Sequence, residues 1–195
     1  MRTDRLVQEY DVALRYTMFP LHPDTPEEGR PLVDLFGGRQ AYLDSMRERL
    51  VSLMEAEGLE YGDRTHTYNS RLGQELAKWA ERQPGGRGGG GGGKIHDALY
   101  RAYFVGGVNL ANVDELVRIA ESLDLSGDEA REVLQTRAER QAVDLDWERS
   151  RQLGVTGVPT FMVDNEVVVG AQPYEILEAL VTRAGARTRA VSNGL

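Results

Sequence analysis

The sequence predicts an α/β protein in which a large helical insertion separates the strands. Three observations carry that prediction. Apolar residues alternate with a period of two over Glu9–Phe19. They then recur at steps of three and four from Leu43 to about Arg149. Strand spacing returns over 160–169, ahead of one last helix.

Each element has its own signal. Val12, Leu14, Tyr16 and Met18 alternate with Asp11, Ala13, Arg15 and Thr17, the pattern of a strand with one buried face. Prolines at 20, 23, 26 and 31 make the next stretch an extended loop. Leu43, Met46, Leu50, Leu53 and Met54 give a helix one apolar face. Asn69 suits the N-cap of a helix whose inner face is Leu72, Leu76, Trp79 and Ala80. Ile95, Leu99, Ala102 and Tyr103 mark another. Asn112 with Glu115, and Ser126 with Glu129, stand in capping-box spacing, the second opening a helix expected to run to about Arg149. "TFMV" and "EVVVG" read as two strands turned at Asp164-Asn165. Pro173 fits the first turn of a helix whose inner face is Ile176, Leu177, Leu180 and Val181, and the chain after Gly185 reads as a frayed tail.

Composition narrows the function. The net charge of −8 is spread along the chain with no basic stripe, which argues against nucleic acid as a partner. No apolar run has the length of a membrane span, and "MRTDRLVQEYDV" is charged where a secretory signal is apolar, so no membrane partner and a cytoplasmic setting are expected. With no cysteine, these residues hold no disulfide, no thiolate nucleophile and no zinc-thiolate site. His22, His66 and His96 lie in separate segments without an i, i+4 partner, so solvated or capping roles are expected and no metal site; His22, in the proline-rich loop, is the one nearest a motif. Gly88–Lys94 matches a phosphate loop's glycine and lysine spacing. However, Ile95 replaces the magnesium-binding hydroxyl, and a helix precedes the run where a strand is required. Gly86–Gly91 matches a dinucleotide fingerprint only because a glycine run matches any glycine pattern; a linker between helices is the expectation.

Proline at the mouth of a strand, in "GVTGVPTF" (Gly154–Phe161), cannot donate to a ladder. Together with "FPLHPDTPEEG", "YNSRLGQELAKWAE", "ALYRAYFVGGVNLANVDELVRIAESLDL" and "RQLGVTGVPTFMVDNEVVVGAQPYEIL", this segment resembles the DsbA-like thioredoxin family. The similarity is to the branch of FrnE-type disulfide oxidoreductases and 2-hydroxychromene-2-carboxylate isomerases. It implies a thioredoxin-like (DsbA-type) fold with a helical insertion. It also implies a cis bond at Pro159, with Gly157, Val158, Pro159 and Thr160 binding substrate in the manner of a strand edge. The family's first strand and Cys-x-x-Cys turn find no match; the resemblance places them before Met1 and so implies an N-terminally truncated fold.

The implied organisation is a partial thioredoxin half over 1–38, a helical insertion over 39–150 with a glycine-rich linker at 85–93, a second thioredoxin half over 151–185, and a tail over 186–195. Three functions stay open. One is a thiol–disulfide oxidoreductase whose catalytic residues are not among these, so that none can be assigned in this chain. Another is a glutathione-dependent isomerase of the same fold, the one case in which a cofactor, glutathione, is implied. The third is a non-catalytic module that holds a peptide or partner in the cis-proline groove. The implied partner is a thiol- or disulfide-containing protein or peptide, and a homodimer stays open.

Overall fold

The computed structural model describes residues 2–83 and 93–189. Residues 84–92 and the tail beyond 189 lie outside the described residues, and with them the glycine-rich linker at 85–93 except Gly93, the whole Gly86–Gly91 match, and the Gly88–Lys94 match except Gly93 and Lys94, which are helical. About half of the described residues are helical, and the strands among them form small two-stranded sheets.

The opening helix α1 (Arg2–Glu9) runs into Tyr10, so Glu9 ends a helix and does not begin a strand. The stretch after it keeps its period of two in burial: Val12, Leu14, Tyr16 and Met18 point inward while Asp11, Ala13, Arg15 and Thr17 are exposed. Yet no strand pairs with it among the described residues, and the expected strand is instead an unladdered segment. Alternation reports which face is buried; a strand also needs a neighbour to receive its hydrogen bonds. Side chains take that neighbour's place. Met18 N donates to Asp146 Oδ2 at 2.9 Å, Ser150 Oγ donates to Met18 O at 3.1 Å, and Gln74 Nε2 donates to Phe19 O at 3.0 Å.

Within the proline-rich loop, β1 (Arg30–Pro31) pairs antiparallel with β2 (His66–Thr67) and is followed by a short helix, α2 (Leu32–Leu35). Helix α3 (Gln40–Ala56) forms where the apolar spacing placed it, but none of its residues is buried. Helix α4 (Arg71–Ala80) begins one residue later than an Asn69 cap implies. Ser70 is the cap by position, while Asn69 Oδ1 still accepts from the Arg71 amide at 2.9 Å. Leu76, Trp79 and Ala80 are its buried face.

Helices α5 (Gly93–Phe104) and α6 (Val113–Glu121) follow, the latter capped by Asn112, whose side chain accepts from the Asp114 and Glu115 amides. Ser126 caps α7 (Gly127–Thr136) through the Glu129 amide. The helix expected to reach Arg149 breaks at Arg137, which takes a left-handed φ of 56°, and restarts as α8 (Arg140–Gln152). Arg137 gains from the break. Turned there, its guanidinium makes two hydrogen bonds of 2.8 Å with Glu75, a carboxylate with no exposed surface. That charge-assisted pair offsets the cost of a non-glycine left-handed residue.

The hairpin is β3 (Thr160–Val163) with β4 (Glu166–Val169), in register Thr160↔Val169 to Val163↔Glu166, and Asp164 takes positive φ at its turn. Helix α9 (Tyr174–Arg183) closes the fold, with Pro173 immediately before it. It buries Tyr174, Leu177, Leu180 and Val181; Ile176, expected on this face, is exposed. Residues 186–189 are not frayed. Arg187 O accepts from the Asp11 amide, the Arg189 amide donates to Glu9 O, and Thr188 bridges to Tyr10.

Among the described residues two hydrophobic clusters result. The larger joins α4 to α8 around Leu76, Ile95, Leu116, Leu134 and Val143, and Met18 reaches it from the unladdered segment. The smaller joins α1 to α9, with Leu6, Tyr10, Tyr174, Leu177 and Val181 packed against the inner face of the hairpin. Arg5 lies over the Tyr174 ring at 3.7 Å, and Tyr174 donates its hydroxyl to Glu9.

Candidate functional site

Gly157, Val158, Pro159 and Thr160 form one short arch between α8 and β3. The Val158–Pro159 bond is cis. Thr160 Oγ1 donates back to Gly157 O at 2.7 Å, and Pro159 O accepts from the Gly170 amide at 2.8 Å, which ties the arch to the hairpin. Val158 is left out of this bonding. Among the described residues its amide and carbonyl make no hydrogen bond to other backbone, and its side chain is 51% exposed. Beside it, β3 pairs with β4 on one edge and, among the described residues, with no strand on the other.

Val158 also marks the rim of a cleft of about 270 Å³. The inward-facing Tyr16 and Phe19 form one wall; Tyr68, Tyr100, Tyr103 and Phe104 form others. Thus the alternation read at 11–18 and the apolar spacing of α5 both feed this cleft, although neither announced it. Arg64 holds the Tyr103 ring from behind: its guanidinium carbon is 4.4 Å from the ring centroid, and Nη1 donates to the Tyr103 hydroxyl. Thr67 Oγ1 shares that hydroxyl at 2.9 Å.

The histidines divide: His22 has the solvated position expected of it, whereas His96 does not. His22 is exposed and lines the cleft, and His66 stacks near Tyr68. His96 is neither solvated nor a cap. It is 5% exposed, stacks on Tyr16 with centroids 3.9 Å apart, and places Nε2 2.7 Å from Glu81 Oε1. Burial beside it pushes the Tyr16 hydroxyl up to about 12, with Tyr100 next in effect, so Tyr16 stays neutral across the physiological range. Among the described residues no three His, Asp or Glu side chains are grouped as metal ligands, and no helix is long and apolar enough to cross a membrane.

A cis-proline arch feeding a hairpin and a closing helix, with helices inserted ahead of it, defines a thioredoxin-like protein of the inserted type. The family model described as DSBA-like thioredoxin domain matches residues 1–182, and the chain belongs to that family. Among solved structures, a probable DsbA oxidoreductase from Streptomyces coelicolor is 27% identical, with a TM-score of 0.81 over 97% of this chain and 84% of that one. A 2-hydroxychromene-2-carboxylate isomerase is similar in fold at 17% identity and a TM-score of 0.68, covering 94% of this chain and 87% of its own. The cytosolic disulfide reductase DsbM of Pseudomonas aeruginosa is 19% identical with a TM-score of 0.54, covering 86% and 82%. Among curated proteins, YwbO, an uncharacterized protein of Bacillus subtilis, is 28% identical over 88 residues, 43% of this chain; the match spans about two fifths (42%) of that relative's length.

Proposed function

We propose that this chain is the substrate-holding part of a DsbA/FrnE-type thiol–disulfide oxidoreductase. In this reading Gly157, Val158, Pro159 and Thr160 hold an extended segment of a thiol- or disulfide-bearing protein or peptide. One observation carries the reading: among the described residues the backbone of Val158, half exposed at a cis bond, makes no hydrogen bond to other backbone, and the strand edge next to it is unpaired. Such an edge binds an extended peptide through main-chain hydrogen bonds. The similarity to a probable DsbA oxidoreductase supports the same class of substrate. A cytoplasmic setting belongs to this proposal.

Disulfide exchange begins with attack by a thiolate, and these residues contain no cysteine. The chain is therefore expected to bind without exchanging. A labelled, extended peptide containing one disulfide serves as probe, with fluorescence anisotropy as readout. Binding is expected to be unchanged by dithiothreitol and about tenfold weaker in Pro159→Ala, a loss of ~1.4 kcal/mol. Equal binding by Pro159→Ala would overturn the reading. The isomerase alternative predicts saturable glutathione binding. Among the described residues the cleft lining includes no Arg or Lys to meet glutathione's carboxylates, which favours the first reading.

A further inference from the structure

The hairpin has a second free edge, on β4. The Gly170 amide donates to Pro159 O, which makes that pair a hydrogen-bonded one; by alternation Phe161·Val168 and Val163·Glu166 are bonded too. Met162·Val167 and Thr160·Val169 are the pairs between them. Val167 and Val169 therefore turn their amides and carbonyls away from β3, to the outer edge of β4. Gln172 Nε2, donating to Val169 O at 2.8 Å, marks that outward direction, and the carbonyl keeps a second lone pair for another donor. Among the described residues no strand pairs with this edge. Over 166–169 it also lacks the usual guards of an edge, having no lysine, proline or bulge. Its one charge, Glu166, is bonded to Arg183 at 2.7 Å.

Helix α9 leaves one flank open beside that edge. The flank toward α1 is taken: Arg5 lies over Tyr174, and Tyr10 donates its hydroxyl to Glu178. Ile176 and Arg183, two turns apart, share the opposite flank. Arg183 reaches down to Glu166, which puts this flank on the β4 side. Ile176 follows the apolar spacing of the helix and is nevertheless 44% exposed there. The helix rests on both β3 and β4. Strands lie about 4.8 Å apart, so pairing β4 with a second β4 would set the two copies of α9 about 10 Å apart on one face of the joined sheet. That is the spacing of packed helices.

We infer that β4 is a homodimer edge, pairing antiparallel with β4 of a second copy about a two-fold axis at Val168, with the Ile176 flanks of α9 facing each other. Each Val167 then stands opposite Val169 of the second copy. The two exchange amide and carbonyl bonds, and their side chains, 48% and 56% exposed, come to lie side by side. The occupant is an identical strand because the edge matches itself. Its two outward-bonding residues lie either side of Val168 and are exchanged by the two-fold axis, as an isologous interface requires. Like charge does not oppose the pairing, since Arg183 already offsets Glu166. Four residues of edge are small for a lasting interface, which takes about 1,200 Å² of buried surface, so the Ile176 flank is needed to hold it. The β3 edge of the peptide-holding reading faces the other way and stays open in such a dimer.

Sedimentation equilibrium of the full chain is the test, and a dimer that dissociates on dilution is the expected result. Val167→Pro deletes an outward amide that the β3 ladder does not use, and should weaken the dimer about tenfold or more. Ile176→Glu should weaken it likewise. Since the chain has no cysteine, introduced thiols report the register. Val167→Cys mixed with Val169→Cys should form an intermolecular disulfide on mild oxidation, because bonded partners stand about 5.5 Å apart at Cα. Either variant alone should not, because like positions stand more than about 7 Å apart. Should Val167→Pro not fold, the thiol mixture decides. A monomer at every concentration overturns the inference. So does a dimer that Val167→Pro and Ile176→Glu leave intact. Thiols that fail to cross-link in the mixture, or that cross-link as fast alone, overturn it too. Peptide binding is expected to be the same in Val167→Pro as in the unaltered chain, so a failed dimer result and a failed peptide-binding result are told apart.

Discussion

Glu75 shows how much one side chain carries. It has no exposed surface, yet two guanidiniums reach it: Arg137 from the break between α7 and α8, and Arg71 from its own helix at 2.9 Å. Burial pushes its carboxyl up, but Arg137 and Arg71 together outweigh burial and hold it below the ordinary carboxylate range. A group depressed on folding adds stability above its unfolded value and loses it as pH falls through the folded one. Glu75→Gln is therefore expected to cost about 3 kcal/mol at neutral pH, the low end for a broken buried pair because Arg137 is partly hydrated. The wild-type advantage should shrink as urea denaturation is repeated at falling pH below the ordinary glutamate range. A constant difference down to the most acid point would contradict this account. Neither this cluster nor the His96–Glu81 contact could be read from the sequence. Glu75 and Arg137 are 62 residues apart, and Glu81 and His96 lie on either side of a glycine run that gives no spacing rule.

Among the elements, local signals succeeded where local physics decides. The Asn112 and Ser126 caps, the hairpin turn at Asp164 and the buried face of α4 all stand where spacing placed them. Signals failed where a distant neighbour decides. The segment 11–19 had a strand's pattern but receives side chains of α4 and α8 where a strand would pair. Asp146→Ala should release it: the Met18 amide loses its acceptor and Lys78 Nζ, 2.5 Å from the carboxylate, loses its counter-charge. The expected cost is about 3 kcal/mol, with faster amide hydrogen exchange at Met18. Helix α3 is the opposite case. Its apolar stripe predicted burial, yet Met46 and Leu53 are exposed. Leu53→Ser should change stability by no more than about 0.5 kcal/mol, whereas Leu76→Ala, on a fully buried residue of α4, should cost about 2–5 kcal/mol. Equal costs in thermal unfolding would mean that α3 is packed against something. The cis bond at Pro159 was legible only through the family's motif, since proline at a strand mouth is ordinarily trans.

At the scale of the whole molecule, the two clusters differ in how they are closed. The larger is closed by helices contiguous in sequence, the smaller by its two ends: residues 186–189 bond back to Glu9, Tyr10 and Asp11. Ending the chain after Gly185 should thus speed hydrogen exchange at the Asp11 amide while leaving the amides of α4 and α6 protected as before. Uniform loss of protection would show that the clusters unfold as one. The placement of the tryptophans has a practical corollary. Trp79 is buried in the larger cluster, Trp147 packs against it, and there is no third. An optical melting curve excited at the indoles would therefore follow the helical body and stay blind to loosening of α1, α9 and the hairpin. A transition that looks simple by emission would need a second reporter, such as Tyr10 or Tyr174, before it could describe the molecule that carries the cis-proline arch.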